Sequence, residues 1–99
     1  AIPLAAATMS PNRAMAAHED NVDVLNFALL LEHLESEFYI MGLDMIVPKG
    51  TDDEKVFMQI SKHEKQHVVF LQAAIKSLGG TPIDKPEFDF TAGGAFMPF

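Results

Sequence analysis

Cysteine is absent from the 99 residues. That excludes disulfides, thiolate metal sites and cysteine nucleophiles, and leaves the redox compartment open. Basic residues are scarce: 7 Lys and Arg stand against 14 Asp and Glu, for a net charge of −7 and an isoelectric point of about 4.8. Nucleic-acid affinity rests on Lys and Arg neutralising phosphates, so this balance argues against a nucleic-acid partner and suits cations far better. Long apolar runs are missing too. Charges interrupt each one before the ~20 residues that a membrane-spanning helix needs, so no membrane partner is expected. The remainder is globular in composition, 48% hydrophobic and 21% charged. At this length a chain buries only a modest core unless its elements pack efficiently or it oligomerises.

The sequence opens Ala1-Ile2-Pro3-Leu4, without a methionine. Removal of a secretory signal would explain this, as would another proteolytic boundary, and a secreted protein is the expectation. Residues 1–19 are Ala-rich, carry Pro3 and Pro11 and show no sustained period. They read as a flexible arm, with a helical turn near Arg13 to Ala17 at most. From Asp20 to Met45 a long helix is expected. Asp20 or Asn21 can cap it, Asp23 places negative charge in its first turn, and neither proline nor glycine occurs before Gly42. Pro48-Lys49-Gly50 breaks the chain, and Thr51-Asp52-Asp53-Glu54 has the spacing of a capping box for a second helix. That helix runs to about Leu78 and stops at Gly79-Gly80. The expected fold is therefore all-α: an antiparallel hairpin over 20–80, followed by an extended tail over 81–99 with three prolines and four phenylalanines.

The chemistry lies where acids interrupt apolar stripes. At ~100° per residue, Phe57, Ile60, Val68, Leu71, Ile75 and Leu78 share one face of the second helix. Glu64 falls on its centre line, and His67 lies on the same side. A carboxylate in the middle of a core face is costly unless something pairs with it. Glu-x-x-His at i, i+3 presents a carboxylate and an imidazole together, a metal-chelating arrangement. The first helix repeats the anomaly: Leu25, Ala28, Leu29, Ser36, Tyr39 and Leu43 share a face with Glu32 at its centre and Glu35 beside it. His33 and Glu37 point elsewhere and are expected in solvent, as is His18 in the arm. Phe27, Leu30, Leu31, Leu34, Phe38 and Met41 make this helix apolar nearly all round, which two helices alone do not bury.

Packing the stripes brings Glu32, Glu64 and His67 together. One carboxylate and one Glu-x-x-His pair is half the ligand set of a di-iron carboxylate four-helix bundle. A two-fold homodimer of hairpins would supply the other half, and so would a C-terminal half absent from this sequence.

At these residues the sequence resembles the ferritin-like superfamily. Leu25 to Glu32 with Glu37-Phe38-Tyr39, followed by Glu64-Lys65-Gln66-His67, is similar to the first helix pair of such domains. The likeness is greatest to the desiccation- and sexual-development-related branch and covers about Asn21 to Phe90. It implies that Glu32, Glu64 and His67 are metal ligands, and that Tyr39 matches a tyrosine seven residues after the first ligand. Full-length members carry four helices, whereas this sequence has two; two-helix encapsulated ferritins complete their site across a dimer. The implied cofactor is iron, two per four-helix bundle, with manganese or zinc able to occupy the same donors. The implied chemistry is Fe(II) oxidation by O₂ or peroxide. Glu35 is a further candidate ligand, and Tyr39 and His63 are candidate neighbours of the ligands.

Two other readings stand beside this one. Glu64 and His67 could form a buried pair without metal, in a stress-related structural or interaction module whose apolar faces dock partners. Alternatively, His63-Glu64-Lys65-Gln66-His67 satisfies H-E-x-x-H, the zinc-peptidase helix in which both histidines bind zinc and the glutamate is the base. Against the latter, His63 sits at the edge of the stripe and no strand is expected to hold a peptide. A third ligand would have to come from Asp84, Glu87 or Asp89 in the tail.

Overall fold

The computed structural model describes residues 11–97, with side chains from residue 17 onward. Two antiparallel helices dominate, α1 over Pro11–Met45 and α2 over Asp52–Ser77. Among the described residues there is no strand, and no helix is long and apolar enough to cross a membrane.

The first helix begins nine residues earlier than the sequence suggests. Pro11, expected within an irregular arm, is its first residue, so residues 11–19 are helical. The physical reason is positional. A proline at the first helical position lacks an N–H that would go unbonded anyway, and Ala14, Ala16 and Ala17 behind it are strong helix formers. The remainder of the expected arm, residues 1–10, lies outside the described residues. His18, expected in solvent within the arm, instead sits on α1 and its Nε2 bonds the Leu78 carbonyl at the end of α2.

Local chemistry accounts for the turn and for both ends of α2. Gly42 O accepts from Ile46 N and Val47 N at 3.0 and 3.2 Å, closing α1, and Val47 is buried under the turn. Thr51 Oγ1 accepts from Glu54 N at 3.2 Å, as a cap should. The Glu54 carboxylate reaches back to Gly50 N (3.1 Å), one residue beyond the reciprocal bond of a standard capping box. At the other end Gly79 takes φ +79°, Gly79 N bonds Lys76 O at 2.9 Å, and Gly80 N bonds Ile75 O at 3.0 Å. This is a Schellman closure, which needs the left-handed residue that glycine supplies. Gly80 is constrained by space instead: a Cβ there would lie 2.6 Å from Val22 Cγ1.

The helices meet along Leu29 and Ile75, both fully buried, with Ser36 and Ser61 buried as small residues that let the backbones approach. Past Gly80 the tail folds back along α1. Asn26 clasps it twice, Nδ2 donating to Thr81 O (3.1 Å) and Oδ1 accepting from Ile83 N (2.9 Å). Lys85 pairs with Glu37 at 2.7 Å, and Phe90 meets Phe38 edge-on at 5.6 Å. This strap changes the environment of the residues beneath it. His33, expected in solvent, is buried at 6% exposure, and Glu37 is tied to the tail.

The molecule extends 58 × 33 × 18 Å, with a radius of gyration of 18.8 Å. A compact chain of this length would have about 13 Å. One long edge stays apolar and open: Val24, Phe27, Leu31, Leu34 and Phe38, spaced 3, 4, 3 and 4, are all exposed on α1, and so are Val56 and Phe70 on α2. Alternating three- and four-residue spacing is the seam that helices use against other helices.

Candidate metal centre

Glu32 on α1 faces Glu64 and His67 on α2, and the convergence follows from helical register. Glu32 lies one turn from the fully buried Leu29, and Glu64 lies one turn from the buried Ser61. Each acid is thus carried to the seam by the contact that joins the helices. His67 Nδ1 stands 3.4 Å from Glu32 Oε2 and 3.8 Å from Glu64 Oε2. One donor atom from each of the three residues lies within 4.8 Å of the others.

The acids are largely covered, with side-chain exposures of 23% for Glu32 and 13% for Glu64, whereas His67 is open on one side at 57%. Both carboxylates bury an Oε2 atom that makes no hydrogen bond. Buried polar atoms in folded proteins are nearly always hydrogen-bonded, because leaving one unpaired forfeits its hydration without return. Two such oxygens directed at a single imidazole nitrogen form a donor set suited to a cation. Donors ~2.1 Å from a common transition metal stand about 3–3.5 Å apart, so the residues fit such an ion with small adjustment. Two carboxylates and an imidazole suit iron, manganese or zinc better than soft metals.

Contact with the Glu32 carboxyl, then burial, raises the Glu64 carboxyl above the ordinary glutamate range; the Glu32 charge adds to this, while Glu35 and His67 oppose it. Glu35 is exposed, and its carboxyl is also raised, first by hydrogen bonding to Glu64, then by burial and by the Glu64 charge, against the pull of His67. Negative charge is therefore concentrated here beyond what the surroundings neutralise, which is what a bound cation would relieve.

The other sequence candidates are placed differently. Tyr39 is half-buried between rings, edge-on to Phe38 at 5.9 Å and to Phe57 at 5.7 Å. Its hydroxyl makes no hydrogen bond to a carboxylate among the described residues. His63 is exposed and exchanges a 2.9 Å hydrogen bond with Gln59 one turn before it, and it is not part of the three-residue group. Glu37 lies off the group and faces Lys85.

Sequence reasoning missed His33. Its Nε2 is buried without a hydrogen bond, and burial, then the Lys85 charge, lowers its pKa, with Glu37 opposing. Nothing local to His33 signals this, because its surroundings are Gln72 and Lys76 of α2 and Pro82 to Lys85 of the tail, all far along the chain.

The profile of the family described as Ferritin-like domain matches residues 20–99. No curated protein and no solved structure matches the chain.

Proposed function

Because this chain belongs to the ferritin-like domain family, we propose that Glu32, Glu64 and His67 bind a transition metal, iron foremost, with Glu35 as a further ligand. The observation that carries this reading is the pair of buried, unbonded Oε2 atoms converging on His67 Nδ1. Bound iron would supply one-electron redox chemistry toward O₂ or peroxide. The protein's part is defined by its own groups. The carboxylates would favour the higher charge state, His67 would contribute an imidazole nitrogen, and its exposed edge leaves a side open to small molecules. Leu29, fully buried one turn from Glu32, limits water on the inner side. The net charge of −7 attracts cations, an effect that salt weakens.

The proposal extends to assembly. A second hairpin covering the open seam of α1 would bury Val24, Phe27, Leu31, Leu34 and Phe38 and bring a second ligand set to the same interior. A homodimer satisfies this, as does a further helix pair of the same protein. The peptidase reading is disfavoured by His63, which bonds Gln59 while Glu64 joins His67 as a donor.

The test is metal content per chain by elemental mass spectrometry after anaerobic loading with equal Fe, Mn and Zn. Iron or manganese near ~1 per chain matches two metals per four helices. Zinc near ~1 returns attention to H-E-x-x-H and a peptide-cleavage assay. No bound metal removes the metal reading and leaves the interaction module, whose assembly should survive chelation.

A further inference from the structure

A second concave surface lies away from the carboxylates. Leu43 on α1 and Met58, Ser61, Lys62, Lys65, Gln66 and Val69 on α2 enclose an open groove of about 540 Å³. Small Ser61, buried at its base, gives it depth, and the side chains of Met58 and Val69 form apolar walls. At ~100° per residue Met58, Lys62 and Val69 sit well over a quarter-turn from both Glu64 and His67, while Ser61 lies between the two faces, so the apolar walls of the groove and the metal centre occupy different sides of α2. Neither Lys62 nor Lys65 takes part in an ion pair among the described residues, although the chain carries twice as many acids as bases.

We propose that this groove binds a small amphiphile bearing a single anionic head, such as a fatty acid. Its chain would lie against Leu43, Met58 and Val69 and its carboxylate would meet the ammonium groups of Lys62 and Lys65. The charge pattern selects this occupant. An apolar helix, including the exposed seam of a second copy, would strip water from two unpaired ammonium groups without compensating them. An acidic protein would meet a body of net charge −7 before reaching two lysines. Recognition of an anionic membrane surface draws on clusters of about 4–8 basic residues, and two are present. A single carboxylate on an aliphatic chain needs only two cations and an apolar wall, and the volume falls within the small-molecule range. Lysine is suited to the rim because its stem packs on apolar surface while its head reaches the anion.

The experiment is isothermal titration of the full chain with laurate below its micellar concentration, alongside dodecyl maltoside as an uncharged amphiphile with the same tail. The variants are Lys62→Glu/Lys65→Glu and Val69→Asp, with Phe27→Asp on the opposite edge as a control; circular dichroism verifies helix content in each. The expected result is one laurate per chain, affinity reduced about tenfold or more by either groove variant, and weak binding of the maltoside. Phe27→Asp should leave laurate affinity unchanged. Equal affinity for the two amphiphiles, many laurates per chain, or loss of binding through Phe27→Asp would overturn the proposal. So would a change in oligomer size on Lys62→Glu/Lys65→Glu without laurate binding, because the groove would then seat another copy. Since the ligands of the metal centre are untouched, the outcome is independent of metal binding.

Discussion

Replacing Glu64 with methionine separates the two things this residue does. In the metal-free protein its Oε2 is buried without a hydrogen bond, and contact with the Glu32 carboxyl, then burial, disfavours its charged form. A buried polar group left unpaired costs about 1–3 kcal/mol. Methionine has a similar length, propagates helices well and carries no polar oxygen, so the metal-free variant should be more stable by about 1 kcal/mol or more. For a chain of this size that raises the melting midpoint by about 4–8 °C. Metal should act in the opposite order. At a free concentration 100 times its dissociation constant, an ion that binds only the folded protein stabilises it by about 2.7 kcal/mol, and the variant forfeits most of this gain. The assay is thermal unfolding by circular dichroism at one fixed chain concentration, with chelator and then with Fe(II) under anaerobic conditions. The wild type should melt lower than the variant with chelator and higher with metal. The pH dependence has a fixed sign. A carboxyl whose folded pKa is raised binds protons more tightly in the folded state, so its contribution to stability is full below the unfolded value of 4.5 and is lost as pH rises through the raised one. The advantage of Glu64→Met should therefore shrink as the pH is lowered toward 4.5. A metal-free variant less stable than wild type at neutral pH would refute the reasoning, because the carboxylate would then be satisfied by a contact that compensates its burial.

Other substitutions probe separate parts of the molecule. Glu32→Ala should reduce bound metal per chain far more than Glu37→Ala, because Glu32 faces His67 whereas Glu37 faces Lys85; equal losses by elemental analysis would mean the helix register is wrong. Gly80→Ala should destabilise by about 1–3 kcal/mol in urea melts, since its methyl group would press on Val22 at 2.6 Å, and an unchanged midpoint would show that the strap yields freely. Leu29→Ala, at a position with no exposure, should cost about 2–5 kcal/mol by the same measurement. Asn26→Ala removes both clasp bonds to the tail and should speed amide exchange at Ile83 while leaving the amides at the centre of α2 protected.

Much of the architecture is legible from neighbouring residues because the forces involved are local. Thr51 caps α2 three residues from the amide it bonds, and Gly79 closes it over a single turn. Glu64 and His67 share a side because helical periodicity puts them there, and placing Glu32 opposite them required only that the apolar stripes pack. Pro11 is ambiguous in the sequence because a proline can either break a helix or start one. Ala14, Ala16 and Ala17 on its C-terminal side resolve the ambiguity in favour of a start.

His33 marks the boundary of this local reading. Its angle on α1 is calculable from the sequence, but it is surrounded by Gln72 and Lys76 of α2 and by a strap that begins beyond Gly80 and is held by Asn26 and by the Lys85–Glu37 pair, contacts spanning roughly half the chain. Caps, breakers and the 3.6-residue period act within a few residues, so the two helices, most of their ends and the side on which each acid stands are written in the order of the amino acids. Packing settled the rest: which donors meet within 4.8 Å, which oxygens lose their hydration and which faces stay open. Burial belongs to surfaces brought together from distant parts of the chain, and no short stretch of sequence contains both of them.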